Sequence, residues 1–480
     1  MNFEAVIGLE IHVEMNTKSK MFSSAPVTFK SEPNAAVVPL DLAHPGTMPV
    51  VNRQAIINAI RVCHALHLTI DRTLWFDRKN YFYPDLPKGY QITQAFRPIG
   101  SNGFVELNLP GYQKKVEIER LHVEEDTAMQ HHYESYTLVD YNRAGIPLME
   151  IVTRPDIRNG TEAAAFVERI RSIVTFANVS TGKMEEGSLR CDVNISIRPV
   201  GVTKFGTKVE IKNLNSMANV EKAIDFEMER QEKILLSGGM VIQETRRYDD
   251  VKKETIAMRQ KTDAVDYKYF VEPNIAPIRL SEAFIQEAIA TMPELAETKF
   301  QRYTQQFGLL EYDAQLLIAN QEAANYFDQT ILHIQEPKFI ANWINGELAS
   351  YINKNNQSLT QLQVTPKRLA QLIQLIVEGT VSNKQARSLF EKMLSLDGEA
   401  LTLAKQFGFL QISDVNILQG HIDEVLSTNA QSIEDYRAGK DRALQFLMAQ
   451  IMKRTQGKAH PEKTNQLLLE SLNHYGNKKS

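Results

Sequence analysis

The residues best able to do chemistry in this chain are carboxylates set in strand-like stretches, with an imidazole among them. In VIGLEIHVEM (residues 6–15), Glu10, His12 and Glu14 alternate with Leu9, Ile11, Val13 and Met15. The same two-residue period recurs in RCDVNISIRP, where Asp192, Asn194, Ser196 and Arg198 oppose Cys191, Val193, Ile195 and Ile197. In KVEIKN, Glu210 and Lys212 oppose Val209 and Ile211. LHVEEDT adds Glu124, Glu125 and Asp126, and PLMEIVT sets Glu150 in an apolar run where an unpaired carboxylate is costly to bury. Same-face neighbours on one strand stand about 6.7 Å apart, so a small metal site needs several strands. Carboxylates, an amide oxygen and one imidazole suit Mg2+ or Mn2+. Glu10, His12, Glu125, Glu150 and Asp192 are therefore expected to converge. A plain solvated sheet face is the other reading of any one strand, and spacing does not choose between them. Glu14 shares the face but gains no role from the pattern.

Other chemistries are excluded. There is no G-x-x-x-x-G-K-[ST] phosphate loop, no G-x-G-x-x-G and no G-x-S-x-G nucleophile elbow. Two cysteines, Cys63 and Cys191, are too few for a disulfide framework or a Cys-rich zinc site. Each falls on an apolar stripe and reads as a core residue. No run of eighteen apolar residues occurs, so no membrane span is expected, and a reducing cytoplasm is the expected compartment.

The elements that must position these groups divide by character. At 480 residues, 43% hydrophobic and 23% charged, the chain should hold two to four soluble domains. To about residue 292, short β-rich runs mix with helices predicted at 51–68, 161–177 and 216–236. Strands and helices do not alternate as βαβ units, which predicts an α+β domain with a largely antiparallel sheet. Beyond it capped helices take over: Thr365-Pro366 opens one, and Ser382 with Gln385 forms a capping-box pattern. The expected domains are 1–292, an all-helical 293–405 and a small helical tail, 406–480. The tail is basic: Glu434 to Ser480 holds nine Lys/Arg against five Asp/Glu, within a chain of net charge −4. Lys440, Arg442, Lys453, Arg454 and Lys458 are its candidate phosphate contacts, against the alternative of an ordinary solvated helical surface.

Longer blocks carry a resemblance. VIGLEIHVEM, FDRKNYFYPDLPKGYQITQ, LHVEED, LVDYNRAGIPLMEIV, KMEEGSLRCDVNIS, EIKNLNS, QETRRYD and DYKYF stand in this order. Together they closely resemble the B-subunit family of the bacterial glutamyl/aspartyl-tRNA amidotransferases, and GKDRALQFLMAQIMKRTQGKAHP resembles that family's tail domain. The resemblance implies a cradle-like catalytic domain followed by helical and tail domains. It implies ATP- and Mg2+-dependent phosphorylation of the side-chain carboxylate of Glu-tRNA(Gln) or Asp-tRNA(Asn), then amidation by ammonia. It further implies a heterotrimer, with an amidase-type A subunit supplying ammonia and a small C subunit, and tRNA as substrate. Under it Lys79, Lys88, Arg190 and Lys212 are candidates to offset phosphate charge, Glu210 and Asn194 to hold the cofactor, and Lys79, Tyr81 and Glu125 to line the ammonia path. The chain departs from the family pattern at Lys268, Val271 and Asn274, and at Thr127-Ala128-Met129. A non-catalytic RNA-binding scaffold and a free-standing carboxylate–amine ligase are the rival readings of the residues.

Overall fold

The computed structural model describes residues 2–28, 31–260 and 266–474. They fall into two compact units, Met1–Ala296 and Glu297–Ser480. The last six residues of the expected tail domain lie outside the described residues.

Alternation of apolar and polar residues dictates the first unit. Its strands are β1 (Phe3–Glu14), β2 (Thr69–Ile70), β3 (Thr73–Leu74), β4 (Asp77–Asn80), β5 (Tyr90–Thr93) and β6 (Gly100–Leu109). There follow β7 (Tyr112–Glu125), β8 (Met129–His132), β9 (Thr137–Asp140), β10 (Pro147–Thr153) and β11 (Leu189–Pro199). The last are β12 (Val209–Leu214), β13 (Glu244–Asp249), β14 (Glu254–Gln260), β15 (Phe270–Val271) and β16 (Ile278–Arg279). Nine of them form one sheet in the order β14-β13-β12-β11-β1-β10-β7-β6-β2. Every pairing in it is antiparallel except β12 with β13.

Three helices, α1 (Arg53–Ala65), α2 (Gly160–Phe176) and α3 (Met217–Leu236), share a core with the apolar side of this sheet. They begin at Asn52, Asn159 and Ser216, whose side chains accept backbone N–H bonds of the first turn, each cap worth about 1 kcal/mol. Gly160 lets α2 approach α3 closely, since a Cβ there would stand 2.6 Å from the Glu221 carbonyl. Ile7, Leu9, Ile11 and Val13 of β1 are fully buried with Cys191, Val193 and Ile151 on this side, and Cys63 of α1 lies in the same core. Burial pushes both thiols up, as core cysteines require.

The opposite face carries the polar residues. A small sheet ordered β15-β4-β5 borders it, with Thr93 of β5 donating to Glu124 at 3.0 Å, while Met21 and Phe22 of the segment joining β1 to α1 pack into the apolar core. That segment is anchored by Lys20, which is fully buried and donates to Asp41 at 3.2 Å and to the Tyr141 carbonyl at 3.1 Å.

The second unit is helical and has two cores. One runs from Tyr303 to Ala404 and the other from Leu418 to Leu472. The capping box at Ser382 and Gln385 forms, and Thr365 caps the helix Pro366–Val377. Among the described residues no helix is long and apolar enough to cross a membrane.

Candidate functional site

Pairing register converts the alternating pattern into a site. His12 of β1 lies opposite Glu150 of β10 on one side and Arg190 of β11 on the other. Glu150 in turn lies opposite His122 of β7. Two positions along β1, Glu10 faces Asp192, and Asn194 pairs with Glu210 of β12. All these side chains share one face by the period of two.

They form two clusters rather than one. His12, Glu124 and Glu150 bring ligand atoms within 4.8 Å of one another, as do Glu10, Asp192 and Glu210. In the first, Glu150 Oε2 stands 3.3 Å from both His12 Nε2 and His122 Nε2. Burial penalises charge throughout this cluster, yet the two histidines outweigh it and hold the Glu150 carboxyl well below its usual range. Against the same burial, Glu150 raises His12, and Glu150 with Glu124 pushes His122 up to about 9. In the second cluster Asn194 Nδ2 donates to Glu10 Oε1 at 2.8 Å. Lys212 pairs with Asp192 and stands 3.3 Å from Glu210, which also accepts from Thr245 Oγ1 at 2.8 Å.

The donor sets fit a divalent cation. Three carboxylates crowd within one ion's reach at Glu10, Asp192 and Glu210, with the Lys212 ammonium against two of them. The first set offers two carboxylates and an imidazole. Oxygen-rich sets of this kind suit Mg2+ or Mn2+.

Of the five residues expected to converge, Glu10, His12, Glu150 and Asp192 are in these clusters and Glu125 is not. The Glu125 carboxylate is taken up by Lys88 and by the Ile92 N–H at 3.0 Å. Its neighbour Glu124 stands in the first cluster and accepts from Thr93 Oγ1 at 3.0 Å. The reason is strand period. Leu121 and Val123 are core residues, so Glu125 shares their side while His122 and Glu124 share the other. The alternation Leu121-His122-Val123-Glu124 is the sequence signal for both missed residues. Glu210, expected to hold the cofactor, stands in the second cluster, and Asn194, expected beside it in that role, donates to Glu10.

The expected cations sit around this face. Arg190 donates to Asp126 at 2.6 Å. Lys212 is held in the second cluster and Lys88 on Glu125. Lys79 has its Nζ 5.0 Å from the Tyr267 ring centroid and 6.0 Å from that of Tyr81. Burial alone would lower the Lys79 pKa, but Glu124, the phenols of Tyr269 and Tyr267, and Glu150 raise it, which keeps the ammonium charged. Burial, with Asp85 and Glu124 adding, pushes the Tyr81 phenol up and keeps it neutral. Glu14 is buried on the same face and its carboxyl is pushed up to about 8, by burial first and then by Asp126. It is a neutral hydrogen-bond partner of Asp126, outside both clusters.

In the tail, Arg442 and Lys453 are exposed on the helix Asp441–Arg454, and eleven residues apart they fall on one stripe. Lys440 pairs with Asp435 at 2.9 Å and Arg454 with Glu424, while Lys458 is half-buried.

Two family descriptions match the chain: the GatB/GatE catalytic domain over residues 5–286 and the GatB domain over residues 325–472. Among curated relatives, the B subunit of the aspartyl/glutamyl-tRNA(Asn/Gln) amidotransferase of Bacillus cytotoxicus is 47% identical over 474 residues, covering 98% of this chain and 100% of its own. The corresponding B subunits of Bacillus velezensis and Geobacillus thermodenitrificans are each 47% identical, covering 98% of this chain and 99% and 100% of their own.

Proposed function

The chain belongs to the GatB/GatE family, and from that premise we propose that it is the B subunit of a glutamine-hydrolysing tRNA amidotransferase. It acts on the side-chain carboxylate of Glu-tRNA(Gln), Asp-tRNA(Asn) or both, and yields the corresponding amide on the tRNA. The observation that carries this reading is the pair of acidic clusters on one sheet face, with Lys79, Arg190 and Lys212 around them.

A carboxylate resists amidation because its leaving group would be oxide or hydroxide. Transfer of the ATP γ-phosphoryl group makes the acyl carbon reactive, and ammonia then displaces phosphate. Bringing two anions together is the main barrier to the first step. Mg2+ held by His12, Glu124 and Glu150, and by Glu10, Asp192 and Glu210, would neutralise part of that charge. Lys79, kept as an ammonium by its acidic and phenolic neighbours, offsets more. Lys212 and Arg190 are held in place by Asp192 and Asp126 and need no reorganisation to act. Glu125 acts by holding Lys88. Ammonia release from glutamine needs a nucleophile with an oxyanion site. In this reading an amidase-type A subunit performs it, a small C subunit completes the heterotrimer, and Lys79 and Tyr81 border the path of arrival. Arg442 and Lys453 of the tail contact tRNA phosphates.

The test is reconstitution with the partner subunits, ATP, Mg2+, glutamine and each mischarged tRNA, followed by identification of the esterified amino acid. Amide product is expected with the wild type and a loss of at least about 100-fold with Glu150→Gln, equivalent to about 2.7 kcal/mol of barrier. Full product with Glu150→Gln would overturn the assignment of the site.

A further inference from the structure

Four aromatic rings run outward from Lys79 in an unbroken edge-to-face chain. Tyr81 and Tyr267 have ring centroids 6.0 Å apart at 67°, Tyr267 and Tyr269 6.1 Å at 70°, and Tyr269 and Phe96 6.3 Å at 70°. The outer rings are not core residues: Tyr269 is 38% exposed and Phe96 62%. Their backbone is nevertheless fixed. Asn80 donates its N–H to the Tyr267 carbonyl at 3.0 Å and its Nδ2 to the Lys268 carbonyl at 2.7 Å. β15 pairs with β4, and the Phe96 N–H donates to Asp77 Oδ2 at 3.0 Å. A rigid, exposed aromatic row is costly to leave in water unless something covers it.

We propose that Tyr81, Tyr267, Tyr269 and Phe96 form a stacking platform for the unpaired bases at the 3′ end of the aminoacyl-tRNA, with Lys268 meeting its phosphates. This rests on the function proposed above. The inner end of the row lies beside the reacting centre: Lys79 reaches the rings of Tyr267 and Tyr81 and feels the charge of Glu124 and Glu150. The carboxylate to be amidated hangs from the terminal ribose, so the terminal bases must lie next to it. Tilted rings offer separate faces to successive bases, and stacking accepts any base without hydrogen-bond readout. Lys268 is exposed between the two tyrosines in the chain and supplies a cation where the backbone of the strand would pass. Its backbone has a φ of 45°, a left-handed bend that sets Tyr267 and Tyr269 as consecutive rungs.

The experiment replaces the terminal adenosine of the tRNA with 2-aminopurine, whose fluorescence falls on stacking, and uses the reconstituted complex. Quenching is expected with the wild type. In the double variant Phe96→Ala, Tyr269→Leu, quenching is lost and the KM for mischarged tRNA rises about tenfold or more, with the KM for ATP unchanged. Tyr269→Phe, which keeps the ring, retains quenching. A double variant with an unchanged melting temperature and undiminished quenching overturns the proposal. So does a rise in the KM for ATP alone, which would make the adenine of ATP the occupant, or failure to co-purify with the partner subunits, which would make the row a protein contact. Absence of amide product from the wild type overturns this inference together with the function it rests on, whereas product with undiminished quenching in the variant overturns this inference alone.

Discussion

Glutamine substitutions at the two adjacent glutamates that end β7 should separate a metal ligand from a structural anchor. The Glu125 side chain is 5% exposed and pairs with Lys88, 11% exposed. In Glu125→Gln the amide oxygen can still accept the Ile92 N–H, but the Lys88 ammonium loses its counter-charge. Removing one partner of a buried pair costs about 3–5 kcal/mol, and the retained hydrogen bond puts this case near about 3 kcal/mol. Unfolding entropy is about 2.1 cal/mol/K per residue. Over the unit Met1–Ala296 that is about 600 cal/mol/K, so the melting temperature should fall by about 5 °C. Glu124→Gln leaves the Lys88 pair intact and removes a charged ligand from the His12–Glu124–Glu150 cluster. Mn2+ affinity should fall at least about tenfold, the lower bound for losing even an indirect supporter of a metal site. Free Mn2+ is counted by electron paramagnetic resonance during titration, and melting is followed by calorimetry in EDTA. Loss of Mn2+ binding in Glu125→Gln at an unchanged melting temperature, with Glu124→Gln still binding, would refute the assignment of faces.

His122 is raised to about 9 in the fold against an ordinary value near 6.5. Its stabilisation is therefore fully present below about pH 6.5 and lost as pH rises through about 9, worth about 3 kcal/mol at 1.36 kcal/mol per unit. Urea denaturation of wild type and His122→Gln in EDTA should give stabilities that differ at pH 6 and converge by pH 10; a pH-independent gap would contradict this. Lys20→Met should cost about 3–5 kcal/mol, because Asp41, 2% exposed, loses its cation. Adding Asp41→Leu should recover most of that loss, and strictly additive losses in chemical denaturation would argue against a buried pair. Removing the chain after residue 410 takes away the whole core from Leu418 to Leu472 and the basic stripe. It should weaken tRNA retention in filter binding and leave the melting of the first unit in place. Arg442→Glu with Lys453→Glu should reduce the salt slope by about two; unchanged tRNA affinity would sink the proposed role of the tail.

The sequence by itself determined which side of each strand is wet. Alternation is a local property of the backbone, so Leu9-Glu10-Ile11-His12 and Cys191-Asp192-Val193-Asn194 declare their two faces before any pairing is known. Caps at Thr365 and Ser382 were legible for the same reason, since an N-cap bond spans only two or three residues. Long ordered blocks likewise carried the family resemblance. Only the tertiary structure decided which carboxylates meet. Glu10 faces Asp192 while His12 faces Glu150, and this long-range register divides one expected metal set into two. On β7, apolar Val116 and Ile118 give way to Leu121 and Val123, and the partner register shifts between Val152 and Thr153. A shift of one residue exchanges faces. It is why Glu124 joins His12 and Glu150, and Glu125 turns to Lys88.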